Sequence, residues 1–505
     1  MPAPKLLACL VALVIASSLG GGAGAAPGPD ASAEAALERA LALFDGRAAA
    51  HGEATLVLRD LALALDRLSE GQRRQAQALL ERPEYRAPTR YVCANVCVHW
   101  VESTADAPPL RDANGNAVPD WVDTTLGVLE HIWAKEIVEF GFRPPKSDLD
   151  VPDHGPDGRL DVYLQDIADE VLGYCVPELP PTYVDYDISG YCVLDDDYSY
   201  AQLGPPGLGG RRELELTAAH EFFHAVQFGY DFAEDGWLME GTATWIEDEV
   251  YDALDEPNGR FPYSPLLHPE VPVDTWSATQ PFQYGAWVFW RFLEELFSPD
   301  EKPRDPSIIR RVLEFADGRR GAPDLSSLEA VDAVAREHQS NLRSTFAAFG
   351  VVNYVPTSFY SEGKEFPRSP LTRSFALTKA KPAIGSQRLV LDHLTNRYVS
   401  FAPGAGVGRA ARLTVSIDLP EATRGSDASV ISFERSGPRV QRLSLDILGQ
   451  ASITVPFGRG AVSRVVLVLT NASGRFVCFQ RTRFSCQGRP LDDDLPFLFS
   501  ARLAG

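Results

Sequence analysis

The chain is 505 residues long, with 45% hydrophobic and 10% aromatic residues and a formal net charge of −22. That length exceeds one ordinary core and predicts two or three domains, each with enough apolar residues for a packed interior. With 69 Asp and Glu against 47 Lys and Arg, the charge balance disfavours nucleic acid and anionic membrane surfaces as partners and makes divalent cations the better candidates.

Lys5, an apolar run from Leu6 to about Ser17 and the small residues Ala23-Gly24-Ala25 have the three-part form of a secretory signal peptide, assigned to residues 1–25. The run is too short to cross a membrane, and no later segment reaches the roughly 20 apolar residues a span needs. Leu6-Leu7-Ala8-Cys9 has the look of a lipoprotein cleavage box, but it precedes the apolar core, so lipidation is rejected. A secreted or extracytoplasmic chain with no membrane span is expected. Loss of Cys9 with the signal leaves Cys93, Cys97, Cys175, Cys192, Cys478 and Cys486. An even number in an exported chain predicts disulfides, and pairing within three close couples is the simplest connectivity. A cysteine zinc site at Cys93 and Cys97 is the competing reading, which export disfavours.

In residues 26–88, Leu37, Leu41 and Phe44, then Leu58, Leu61, Leu65 and Leu68, then Ala76, Leu79 and Leu80 recur near helical spacing. Two or three amphipathic helices are predicted, ended by Pro83 and Pro88. A propeptide and a packed N-terminal extension both fit this segment.

Residues 89–361 mix strand signals (160–163, 191–194) with helical stretches at 122–141, 211–229, 237–251 and 284–297, which predicts an α+β domain. Near its start, Asp112, Asn114, Asn116, Asp120 and Asp123 place oxygen donors at positions 1, 3, 5, 9 and 12 of a calcium loop, with the Val118 carbonyl at 7. The pattern resembles EF-hand and thrombospondin-type repeats, except that Ala117 replaces the glycine usual at position 6 and Asp123 the final Glu. Calcium is favoured there over a plain Asx-rich turn. Asp153, Asp157 and Asp161 form a looser acidic cluster, and Asp195-Asp196-Asp197 reads as a solvated loop.

His220-Glu221-Phe222-Phe223-His224 lies within a helical stretch. Residues four apart share a helix face, so both imidazoles can reach one ion while Glu221 faces water. Downstream, Trp237-Leu238-Met239-Glu240-Gly241-Thr242-Ala243 supplies an acidic residue on a following helix. The pair of motifs resembles the gluzincin metallopeptidases of the aminopeptidase-N-like and thermolysin-like branches, and the wider layout resembles exported bacterial proteins described as metallopeptidases. This resemblance implies a zincin-like catalytic domain, a zinc ion held by His220, His224 and Glu240, and Glu221 as general base. Glu240 follows His224 by sixteen positions, closer than in those families, so the loop over 229–236 must be short.

Tyr284, in Gln283-Tyr284-Gly285 at the head of a helix, resembles the catalytic tyrosine of the aminopeptidase-like branch, and packing explains it equally well. His268 is a weaker candidate for the same task. Glu247, Thr244 and Gln227 are candidates to orient the ligands from behind. From about residue 385 helical signals stop and short alternating runs take over. They predict an all-β sandwich over 386–505 after a Pro-containing linker at 362–385. The expected activity is endopeptidase cleavage of protein or peptide substrates, since no Gly-x-Met-Glu-Asn element is present to hold a free amine. The opposing expectation is a non-catalytic, calcium-stabilised surface or adhesion protein.

Overall fold

Residues 31–44, 54–167, 171–180, 185–199, 210–254, 256–277, 280–298 and 304–504 are described by a computed structural model. The signal peptide expected at 1–25 lies outside them. The architecture is α+β with a β-rich C-terminal region, and no helix among the described residues is long and apolar enough to cross a membrane.

The first segment forms three helices, α1 (Ala31–Phe44), α2 (Ala54–Ala64) and α3 (Glu70–Leu80). The α+β unit is built on strands β1 (Arg90–Cys93), β2 (Cys97–Trp100), β3 (Asp161–Gln165), β4 (Gly173–Glu178) and β5 (Ser189–Asp195), in the order β1-β2-β3-β5-β4. β2, β3 and β5 run parallel, while β4 pairs antiparallel with β5 and forms one edge. Helix α4 (Asp120–Trp133), continued by a π-turn over Ala134–Glu139, crosses between β2 and β3. The helices α5 (Arg211–Asp231) and α6 (Gly236–Val250) follow the sheet.

Strand residues alternate between faces, and both faces of this sheet are covered. Val162, Leu164, Cys175, Cys192 and Leu194 pack with Phe222, Phe223 and Val226 of α5 in the main core. Tyr163, Tyr174, Val176, Tyr191 and Val193 turn the other way and pack with Leu37, Leu58 and Leu61 of the N-terminal helices. Just after α3, the buried Arg82 guanidinium donates to Asp148 (2.6 Å), Glu178 (2.6 Å) and Asp161. This ties the end of the helical segment to the sheet.

Residues 372–377 already contribute to the C-terminal region, whereas Tyr360 and Phe366 still pack in the main core. Strand β6 (Arg373–Leu377) and the start of β7 (Ala383–Leu391) fall inside the segment read as a linker, because β6 pairs parallel with β8 (Thr395–Pro403) despite its proline-rich approach. The two facing sheets, β11-β10-β13-β8-β6 and β12-β9-β14-β7, are completed by β9 (Arg412–Asp418), β10 (Ser426–Glu434), β11 (Gly437–Arg442), β12 (Gln450–Pro456), β13 (Val462–Asn471) and β14 (Leu495–Ala504). Between them lies a second core that includes Val399, Phe401, Val415, Leu467 and Phe497. The disulfides join Cys93 to Cys97, Cys175 to Cys192 and Cys478 to Cys486, the three local couples.

His393, in the turn from β7 to β8, ties the two regions together. Its Nε2 lies 3.0 Å from Asp274 Oδ1 and its Nδ1 2.6 Å from Asp493 Oδ1, with the side chain 1% exposed. Burial opposes a charge there, but the two carboxylates outweigh it and push its pKa up to about 9. A folded pKa above the unfolded 6.5 means that this stabilisation is complete below pH 6.5 and is lost as pH rises through about 9. The shift corresponds to roughly 3 kcal/mol. Thermal unfolding at pH 6 and pH 9.5 is expected to show a larger loss for wild type than for His393→Gln. Equal losses would contradict it.

Candidate metal centre

Helix α5 is buried along nearly its whole length between the sheet and α6, so its polar residues must find partners inside the protein. The linking turn to α6 is only residues 232–235, as the spacing of the motifs requires. Gly241 follows Glu240 because a Cβ at that position would meet Trp290 Nε1 at 2.4 Å, so α6 can approach the next helix (Trp287–Phe297) only with glycine there.

His220 Nε2 lies 3.2 Å from Glu240 Oε2, and His224 Nε2 lies 3.5 Å from Glu240 Oε1. Ligand atoms about 2.0–2.1 Å from a tetrahedral zinc ion are roughly 3.3 Å apart, so these separations fit a shared ion. Side-chain exposure is 12% for His220, 1% for His224 and 2% for Glu240, which leaves His220 on the more open side.

The opposite ring nitrogens are held from behind. His220 Nδ1 is 2.7 Å from Glu247 Oε1, and His224 Nδ1 is 2.7 Å from Gln227 Oε1. With Nδ1 as the donor in each case, both Nε2 lone pairs face Glu240, the tautomer a metal ligand needs. Gln227 is oriented in turn by donating to Met239 O (2.9 Å) and Thr242 Oγ1 (2.8 Å). Thr244, a candidate for the same task, has a buried hydroxyl with no hydrogen-bond partner among the described residues. Thr242 takes that place because it lies on the side of α6 facing Gln227. Sequence spacing missed it, since two residues on one helix differ by about 200° in direction.

Glu221 is 8% exposed, and its Oε2 accepts the Thr55 hydroxyl at 2.8 Å. Burial pushes its pKa up to about 7, against the opposing pull of His220 and of a hydrogen bond from Thr55. Burial also lowers His224 to about 4, despite the attraction of Glu240, which keeps its ring neutral near pH 7. His220 goes the other way. Burial disfavours its charge, but hydrogen bonds to Glu240 and Glu247 win and raise its pKa well above the usual value. Three buried carboxylates around two imidazoles form a site that favours a cation, and a metal bound there would displace the His220 proton.

Tyr284 stands beside the site, its ring centroid 5.9 Å from that of His220 and its face under the Arg260 guanidinium. His268 is instead half-exposed, 3.3 Å from Glu270 and edge-on to Phe282.

The loop over residues 112–123 is closed by its own side chains. Asp112 accepts from the Gly115 and Ala117 amides, Asn114 from Asn116, Asn116 from Val118, and Asp120 from Ala113, while Asp123 accepts from the side-chain amides of Asn114 and Asn116. Ala117 takes φ 65°, the left-handed conformation that glycine adopts without strain. Among the described residues the carboxylates of Asp112, Asp120 and Asp123 do not gather in one metal-sized space. Calcium at this loop rests on residue spacing alone. Asp195 and Asp196 are 2% and 6% exposed, not solvated as the run of three acids suggested. Asp195 is drawn inward because it accepts from the Asp197 and Tyr198 amides, and burial pushes Asp196 up to about 8.

No family model and no curated protein matches the chain. Among solved structures, the pre-peptidase C-terminal domain of a collagenase from Bacillus anthracis overlaps at 12% identity and a TM-score of 0.15, over 27% of this chain and 97% of that one. A family GH115 4-O-methyl-α-glucuronidase with specificity for decorated arabinogalactans overlaps at 11% identity and a TM-score of 0.14, over 62% and 45%. Overlaps this slight decide neither fold nor function.

Proposed function

We propose that the protein is a secreted zinc peptidase of the gluzincin type, with a zincin-like catalytic domain and endopeptidase action on protein or peptide substrates. The observation that carries this reading is the convergence of His220 Nε2, His224 Nε2 and the Glu240 carboxylate, each imidazole backed at Nδ1 and Glu221 set beside them. Zinc, when bound, would polarise a scissile carbonyl and lower the pKa of water toward neutrality. Glu221 takes the proton of the attacking water and passes it to the leaving amine. Tyr284, its ring centroid 5.9 Å from that of His220, would donate to the oxyanion. Three disulfides agree with an oxidising compartment.

A non-catalytic adhesion protein would need none of this arrangement. A structural zinc site uses four protein ligands, whereas this one has three ligands and a carboxylate that is not among them. Casein cleavage by the purified chain is expected to stop on treatment with a zinc chelator and to return with added zinc. Stoichiometric zinc with no cleavage of casein or of mixed peptides, even after the N-terminal helices are loosened, would instead support the adhesion reading.

A further inference from the structure

Thr55, in the first turn of α2, donates its hydroxyl to Glu221 Oε2 at 2.8 Å and accepts the Cys175 amide at 2.9 Å. The two groups it occupies are unrelated in sequence but adjacent in space. Cys175 lies opposite Cys192 on β4, the edge strand, and its amide points away from β5 toward whatever lies along that edge. The strand also passes close to the candidate base, since a Cβ on Gly173 would meet Glu221 Cγ at 3.1 Å. An extended peptide binds a sheet edge through such outward amides. Here α2 lies along that edge instead.

Its neighbours extend the block. Leu56 is fully buried and joins the core beneath the site, its Cδ1 lying 3.2 Å from where a Cβ on Gly236 would stand, next to Trp276. Arg59 Nη1 donates to Glu234 O at 2.6 Å, in the turn that joins the two helices carrying His220, His224 and Glu240. On its other side α2 contributes Val57, Leu58 and Leu61 to the core on the opposite face of the sheet.

We infer that the start of α2 is an intramolecular plug of the substrate cleft: Thr55 takes the base and the edge amide that a peptide substrate requires, Leu56 fills the adjoining apolar space, and Arg59 latches the plug to the turn between the ligand helices. The inference rests on the peptidase reading of the site. It differs from a separable pro-segment, because α1–α3 also cover Tyr163, Tyr174 and Tyr191 and are tied down through Arg82. Lifting the first turns of α2 opens the cleft, while wholesale loss of the segment would strip one face of the sheet.

The test uses the full mature chain with zinc bound. Thr55→Val keeps the shape of the side chain but leaves the Glu221 carboxylate and the Cys175 amide without their partner, which disfavours the closed state. Leu56→Glu places a charge in the apolar space and is the stronger variant. Calorimetry with a peptide hydroxamate, which binds zinc and the cleft together, is expected to show at least tenfold tighter binding in each variant that folds. Equal affinity in wild type and Thr55→Val would overturn the plug. Tighter hydroxamate binding without cleavage of any peptide would uphold the plug and overturn the peptidase reading, and a chain that takes up no zinc in any form would overturn both.

Discussion

Glu221→Gln is expected to keep its zinc and to lose peptide cleavage by about 10²–10⁴-fold, the range attached to a positioned general base. The substitution removes a basic oxygen and none of the three ligands. It also keeps an acceptor for the Thr55 hydroxyl, so the local packing has little reason to change. The comparison is best made in a Thr55→Val background, where an open cleft makes a true loss of turnover visible. Loss of metal from Glu221→Gln would show that Glu221 is a ligand and would reassign the centre.

Removing a ligand should act in the opposite sense. His224→Ala or Glu240→Ala is expected to abolish stoichiometric zinc binding and to lower the thermal transition, because zinc stabilises only the fold that assembles the site. Replacing a supporting group is expected to do less. Glu247→Gln or Gln227→Ala should weaken zinc by about 10–100-fold, the effect usual for the partner of a ligating histidine. Equilibrium dialysis against zinc checks the order. If Glu240→Ala bound zinc as well as wild type while Glu247→Gln did not, Glu247 would be the third ligand and the roles of the two carboxylates would exchange.

Local rules made much of the candidate site legible in the sequence. Four-residue spacing places His220 and His224 on one helix face, and the short turn after Asp231 brings Glu240 to them. Glu247 and Gln227 were reachable by the same counting along helices. Contacts made across the fold were not reachable that way. Thr55 is 166 residues from Glu221, and only the position of β4 at the sheet edge brings them together. Periodicity showed that α2 has an apolar face but not that the helix lies along an edge and serves two cores at once. The acids at 195–197 were misread for a related reason. A charged run suggests solvent, yet Asp195 is drawn inward by the two backbone amides it accepts. The strand β6 was hidden by flanking prolines, since pairing with a distant β8 outweighs a composition typical of linkers.

Anomalous diffraction at the zinc edge tests the central claim most directly. Crystals of the purified chain are predicted to give one strong peak in contact with His220 Nε2, His224 Nε2 and Glu240, and crystals of His224→Ala are predicted to give none there. A peak at another cluster, or a zinc-replete protein with no density between these three side chains, would contradict the account.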